Sequence, residues 1–270
     1  MTEPSIFQSF VLGALQGLAE FLPVSSSAHL ALAPWAFGWE EPGLAFDVAL
    51  HVGTLFALLG FFRNEWIALI RAAISIVTER AVKTPEQQRV VFLIIATIPG
   101  GIAGLLLEKQ AETIFRAPAL TAVALMVMGA ILWVVDSSAE RTRQLDHMTW
   151  RDALIIGCAQ AVALIPGVSR SGATITAGRA LKLDRANAAT FSFMMSMPII
   201  AAAAILKVPK ALHETGLTPS LMVGVGTAAV SSAIAISVLL RFVRTRGFGV
   251  FAIYRIALGL AVLGLVYSRR

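Results

Sequence analysis

Apolar runs long enough for a helix to cross a bilayer, about 20 residues, recur along this chain from Ile6 to Tyr267. A chain built this way has lipid as the solvent for most of its surface. The composition agrees: 57% of the 270 residues are hydrophobic and 14% are charged, against roughly 25% charged in a soluble domain. No stretch reads as a separate soluble half, so the expectation is a single membrane domain over residues 1–270. The first apolar segment lacks a basic leading region, and more apolar sequence follows its break, so it does not read as a cleaved signal peptide. Cys158 is the only cysteine, which excludes an intrachain disulfide. The net charge of +6 comes from basic residues scattered in short loops, a pattern that favours anionic lipid and topology over nucleic acid as its explanation.

Six continuous spans are expected: Phe46 to Phe62, Val90 to Leu107, Ala119 to Val135, Ala188 to Leu206, Leu221 to Leu240 and Val250 to Tyr267. Two further segments are interrupted. Ile6 to Leu22 runs into Pro-Val-Ser-Ser-Ser and resumes from Leu30 to Phe37. Ala153 to Ile165 runs into Pro-Gly-Val-Ser-Arg-Ser-Gly and resumes to Leu181. Each half is short for a crossing, and proline-broken polar backbone at membrane depth is tolerated only where protein or a water-filled cavity satisfies it. The expected fold class is therefore an all-α polytopic membrane protein, six transmembrane helices plus two re-entrant helix hairpins; eight ordinary crossings is the alternative. The segment Trp66 to Ala81, arginines interleaved with Ile and Leu, is expected along the membrane interface.

Loop charges set the orientation. One face collects 14 basic residues, among them Arg63, Arg71, Arg80, Arg141, Arg143, Arg179, Lys182, Arg185, Arg241 and Arg246; the other collects 6, Lys109, Arg116, Lys207, Lys210, Arg269 and Arg270. The richer face is assigned to the cytoplasm. Arg170 and Arg255 lie inside apolar segments.

The two interrupted segments also align with each other at a constant offset of 144 residues, Gly13 with Gly157, Gln16 with Gln160, Val24 with Val168, Ser25 with Ser169 and Ser27 with Ser171. Three spans between the copies would turn the second upside down, giving an inverted repeat with halves of about 1–140 and 141–270. Such repeats place a polar site near the midplane, with half-helix N-termini facing an anion. This much suits a transporter as well as an enzyme.

Chemistry concentrates at the two breaks. Gly167 and Gly172 flank Ser169-Arg170-Ser171 just before a helix, and glycine, helix N-terminus and a forked guanidinium together describe a phosphate cradle. In the first break Gln16 and Glu20 share a helix face, followed by Ser25, Ser26, Ser27 and His29. Hydroxyl, imidazole and carboxylate are the ingredients of acyl or phosphoryl transfer, although serines and histidines also cap helices. Asp47 and His51, four apart, either extend this cluster or form an interfacial pair. Arg255 is expected in a structural pairing; Asn187, Ser192 and Ser196 are expected in helix packing. No zinc-ligand spacing occurs.

The stretches QGLAEFLPVSSSAH, from Gln16 to His29, and PGVSRSGAT, from Pro166 to Thr174, resemble the two signature motifs of the bacterial undecaprenyl-pyrophosphate phosphatases, the bacitracin-resistance family. The likeness extends to FDVALHVGTL and FAIYRIALG and so covers nearly the whole chain. It implies hydrolysis of a C55 polyprenyl diphosphate lipid to the monophosphate in the bacterial inner membrane, recycling the carrier of wall synthesis. It also implies a divalent metal, Mg2+ or Ca2+, near Glu20, and a site open to the periplasmic side. Carried over, the first motif's acidic pair falls on Gln16 and Glu20, its serines on Ser25 and Ser26 and its histidine on His29. The second motif's residues fall on Ser169, Arg170, Ser171 and Thr174. Gln16 stands where many members carry glutamate, leaving Glu20 the lone carboxylate of that motif. The expected catalytic set is Glu20, Ser26, His29 and Arg170, with Ser26 or a positioned water attacking and His29 moving the proton; Gln16, Ser25, Ser27, Ser169, Ser171 and Thr174 bind substrate. Bilayer lipids are expected partners, nucleic acid is not, and a homodimer is an admissible oligomeric state.

Overall fold

A computed structural model describes residues 3–107 and 117–269. Among these residues the chain is helical, with eleven α-helices and no strand beyond one isolated bridge between Arg143 and Leu183. Helix α1 (Ile6–Phe21) starts at a reciprocal cap, Ser5 accepting from the Gln8 amide while the Gln8 side chain accepts from the Ser5 amide. It ends where Pro23 forces Leu22 into extended backbone. Helix α2 (Ser26–Phe37) closes at Gly38 in the left-handed conformation. Together they form the first broken segment. At 1.5 Å per residue α1 reaches about 24 Å, short of the roughly 30 Å hydrocarbon core. The second broken segment repeats this design with α7 (Trp150–Val162), capped by Thr149 and Asp152, and α8 (Arg170–Ala180).

Between and after them run α3 (Leu44–Phe61), α4 (Arg63–Glu79), α5 (Pro85–Leu106), α6 (Pro118–Ser138), α9 (Arg185–Thr215), α10 (Pro219–Phe242) and α11 (Gly249–Ser268). Five helices, α5, α6, α9, α10 and α11, are long and apolar enough to cross a membrane, and a sixth is obtained if α3 and α4 count as one bent span. The expected span Phe46 to Phe62 is thus an 18-residue helix that meets this test only together with α4, from which it is bent by 85°. Helix α4 covers the segment expected at the interface. Its Ile67, Ile70, Ile74 and Val77 form one exposed apolar stripe at helical spacing, while Leu69 and Ala72 pack inward. The span expected from Ala188 to Leu206 belongs to a longer helix, α9. Lys109, Arg116 and Arg270 lie outside the described residues.

The broken segments are held by helices that approach closely. A Cβ on Gly13 would sit 2.3 Å from the Gly224 carbonyl oxygen of α10, and one on Gly157 would sit 2.5 Å from the Ala96 carbonyl oxygen of α5. Small residues at these crossings replace the hydrophobic driving force that lipid cannot supply. So α1 packs along α10 and α7 along α5, and the two breaks are carried to a common place in the protein interior.

Candidate active site

The two breaks are built alike. Ser25 and Ser169 have positive φ, 75° and 70°, which is rare outside glycine. Each then caps the helix that follows: Ser25 Oγ accepts from the Ala28 amide at 3.4 Å and Ser169 Oγ from the Gly172 amide at 3.0 Å. Each also contacts the hydroxyl two residues on, Ser27 at 3.2 Å and Ser171 at 3.3 Å. Strained backbone of this kind costs about 1–3 kcal/mol per residue and persists where the surroundings over-determine it.

The surroundings do so through cross-links between the breaks. The Gly167 amide donates to Ser25 Oγ at 3.1 Å, and Ser171 Oγ donates to the Leu22 carbonyl at 3.2 Å. Arg255 of α11, wholly buried, sits between them and donates to the carbonyls of Pro23 (3.2 Å), Gly167 (2.7 Å), Val168 (2.9 Å) and Leu125 (3.2 Å). Its hydrogen-bond partners among the described residues are all carbonyl dipoles. One guanidinium fastens both breaks to α6 and draws three of their carbonyls to its own side.

Beside the breaks lies a cavity of about 210 Å³. Its polar lining is Glu20, Ser26, Ser27, His51, Ser169, Arg170 and Ser171; Val48, Ile199, Ile200 and Ala203 form an apolar wall. Glu20 is its centre. Oε2 accepts from Ser26 Oγ at 2.6 Å and from Gln16 Nε2 at 3.1 Å, and lies 3.5 Å from His51 Nε2. Oε1 accepts from Arg170 at 3.0 Å. The short bond means that the Ser26 proton already points at a carboxylate, the arrangement a general base needs. Arg170 is anchored by the Ser192 carbonyl at 3.1 Å, and Thr174 braces the same helix through Ser192 Oγ at 2.7 Å and the Arg170 carbonyl at 2.8 Å.

Of the residues singled out in the sequence, Glu20, Ser26, Ser27, His51, Ser169, Arg170 and Ser171 come together on the cavity, so His51 takes the first of the two places open to it, as an extension of the cluster. Gln16 lies beneath it as a prop for Glu20, Ser25 shapes the loop, and Thr174 with Ser192 supports Arg170. His29 is placed elsewhere. Its Nδ1 is 2.7 Å from the Ser25 carbonyl, its Nε2 is 2.7 Å from the Tyr254 hydroxyl, and its ring stacks on that tyrosine. The imidazole on the cavity is that of His51, which Asp47 orients through its backbone carbonyl, 2.7 Å from Nδ1.

A metal held by protein ligands alone does not fit. Among the described residues no three His, Cys, Asp or Glu side chains converge on one point. Glu20 is the single carboxylate lining the cavity, and both its oxygens are engaged.

A second buried charge cluster has no counterpart in the motifs. Arg179, expected among the loop charges, is wholly buried and bonded to Asp136 at 2.9 Å, and Arg185 joins the same carboxylate at 2.8 Å. The correction has a simple cause: α8 continues inward from Arg170, so its last turn packs against α6 instead of lying in a loop. Asp136 itself escaped notice, although an acidic residue ending an apolar span, with arginines after the next break, is the signal that could have found it. The recess beside it, about 610 Å³, is lined by Trp133, Asp136, Ser137, Arg185, Phe242 and Arg246.

Residues 9–261 match the family described as Bacitracin resistance protein BacA. The chain is 58% identical over 265 residues to an undecaprenyl-diphosphatase of Gemmatimonas aurantiaca, covering 98% of this chain and 99% of that one. It is 47% identical to the undecaprenyl-diphosphatase of Pelotomaculum thermopropionicum, covering 98% of each chain, and 46% identical to that of Moorella thermoacetica, covering 98% and 100%. With the family matched over nearly its whole length, the chain belongs to the bacitracin resistance protein BacA family.

Proposed function

We propose that the cavity between the two breaks is where this chain, an undecaprenyl-diphosphatase by family and by its relatives, releases phosphate from undecaprenyl diphosphate. The observation that carries this reading is the Ser26 hydroxyl bonded to Glu20 at 2.6 Å inside a cavity that also presents the Arg170 guanidinium. The terminal phosphate would sit against Arg170, whose fork matches two phosphate oxygens, and against the hydroxyls of Ser27, Ser169 and Ser171. Ser26 attacks phosphorus as its proton passes to Glu20, and the bond to the bridging oxygen breaks, freeing the lipid monophosphate. Arg170 is placed to offset charge that builds on the phosphoryl oxygens. Its bond to Glu20 Oε1 fixes the orientation of that carboxylate. The apolar wall of Val48, Ile199 and Ile200 suits the first isoprene units of the tail. His29, bonded to Ser25 and Tyr254, fixes the shape of the first break.

For the divalent cation, Mg2+ or Ca2+, we propose entry on the diphosphate, since magnesium is commonly held by one or two carboxylates plus substrate phosphates. The two halves, about 1–140 and 141–270, form one domain as an inverted repeat with six crossings. The matched local geometry at Ser25 and Ser169, and the pairing of α1 with α10 and of α7 with α5, support this. With the basic loops in the cytoplasm, the chain lies in the bacterial inner membrane and its cavity opens toward the periplasm. One copy supplies every group lining the cavity, so a homodimer is compatible with the site without being required by it.

The test is phosphate release from a C55 or shorter polyprenyl diphosphate by the purified protein, with and without magnesium or calcium, beside Arg170→Ala and Glu20→Ala. Release abolished by either substitution in a protein that still unfolds cooperatively is the expected result. Full release by both variants would move the reaction elsewhere.

A further inference from the structure

We propose that His51 is a catalytic residue of this chain, its Nε2 taking the proton of the water that completes hydrolysis. The inference rests on the reading of the Glu20 cavity as the phosphatase site.

Two histidines lie close to the breaks, and their surroundings differ in what they leave free. A backbone carbonyl only accepts, so in each ring the nitrogen facing one carries hydrogen. In His29 that nitrogen is Nδ1, on the Ser25 carbonyl, and Nε2 is taken by the Tyr254 hydroxyl. Both ends are engaged, the residue is buried, and it does not line the cavity. Proton exchange with substrate there would require breaking two bonds of 2.7 Å.

In His51 the nitrogen on a carbonyl is again Nδ1, on Asp47. The neutral ring therefore keeps its lone pair on Nε2, which faces the cavity 3.5 Å from Glu20 Oε2. That is the oxygen to which Ser26 donates. The charged groups facing His51 are Glu20 from α1 and, beyond it, Arg170 from α8; Asp47 lies one turn earlier on its own helix. Helix α9 contributes only Ile199, Ile200 and Ala203 to the cavity. Gln16 does not ionise and Arg170 does not give up its proton. Among the described lining residues, Glu20 and His51 are thus the groups able to accept a proton from a reactant.

A hydrolysis that begins with a serine must end with water, and these steps need bases of different kinds. Once Ser26 carries the phosphoryl group, Glu20 holds the serine's proton and is no longer a base. The water oxygen then bonds to phosphorus as the bond from phosphorus to Ser26 Oγ breaks. Oγ recovers its proton from Glu20, and the water's proton goes to His51 Nε2, from which it leaves with the phosphate. An imidazole beside a carboxylate it does not share a helix with divides the two proton transfers between two groups.

The experiment compares steady-state phosphate release from a short polyprenyl diphosphate for the full-length wild type, His51→Gln, His29→Gln and Glu20→Gln. His51→Gln is expected to lower kcat about 100-fold, with KM changed no more than a few-fold. His29→Gln is expected to lower kcat less than His51→Gln does. His51→Asn serves should His51→Gln fail to unfold cooperatively. Wild-type kcat in the folded His51 variant, with Glu20→Gln inactive, would overturn the role of His51 and leave the site standing. A fully active Glu20→Gln would overturn the site itself.

Discussion

The two ends of α8 each carry an arginine bonded to a carboxylate from another helix, and they are finished differently. At the far end Asp136 is saturated. Its Oδ1 accepts from Arg179 and Arg185, and its Oδ2 from Arg185 and the Phe248 amide at 2.9 Å. Arg179 gives three of its four remaining donors to the carbonyls of Ala139, Glu140 and Leu183. At the near end Glu20 faces a cavity, and Arg170 makes one bond to it and one to a carbonyl. A guanidinium has five donors, so Arg170 has several to offer a ligand. The first cluster fastens helices; the second keeps donors unused beside a cavity. What separates structural from functional charge in this membrane protein is how completely the donors are used.

If that distinction is right, substitutions at the two ends should damage different properties. The largest effect is expected for Glu20→Gln, which keeps shape and removes the base: phosphate release should fall on the order of 10³-fold, within the range set by removal of one member of a catalytic unit, with thermal unfolding in detergent nearly unchanged. Arg170→Ala should cost about 10²–10³-fold in kcat. Asp136→Asn should reverse the pattern. Breaking a buried pair by neutralising one partner costs about 3–5 kcal/mol, read as a lowered unfolding temperature, while turnover per folded molecule stays within about 2-fold. A normal unfolding temperature with lost turnover would contradict the division. Thr174→Val, which removes the hydroxyl bonded to Ser192 Oγ and to the Arg170 carbonyl, should be smallest, about 1–2 kcal/mol of stability and a few-fold in rate.

How much of this was legible beforehand follows from how local each feature is. The breaks at Pro23 and Pro166 could be read because proline and clustered serines interrupt apolar sequence, and the matching backbone at Ser25 and Ser169 follows from the same residues at the same spacing. That Glu20, Ser26 and Arg170 meet on one cavity could be anticipated because motif and chemistry coincide at them. The placements of the two histidines are not settled by sequence, which puts His29 at the chemistry and leaves His51 between extending the cluster and an interfacial pair. His29 lies in a motif, yet it is aimed by Tyr254, 225 residues away, while His51 reaches the cavity only because α3 passes beside α1. The buried Arg179 was mistaken for a loop charge because charge alone does not reveal a partner 43 residues distant. The bend between α3 and α4 had its signal in arginines spaced among Ile and Leu, which marks an interfacial helix without fixing the angle of 85°.

The most direct test of the central claim, that Glu20 and Ser26 work as one unit in the cavity, is a double-mutant cycle in phosphate release with Ser26→Ala, Glu20→Gln and the two combined. Groups acting in the same proton transfer are strongly non-additive. The account predicts that the double variant is no slower than the slower single variant. Losses that multiply would show two independent contributions and contradict it.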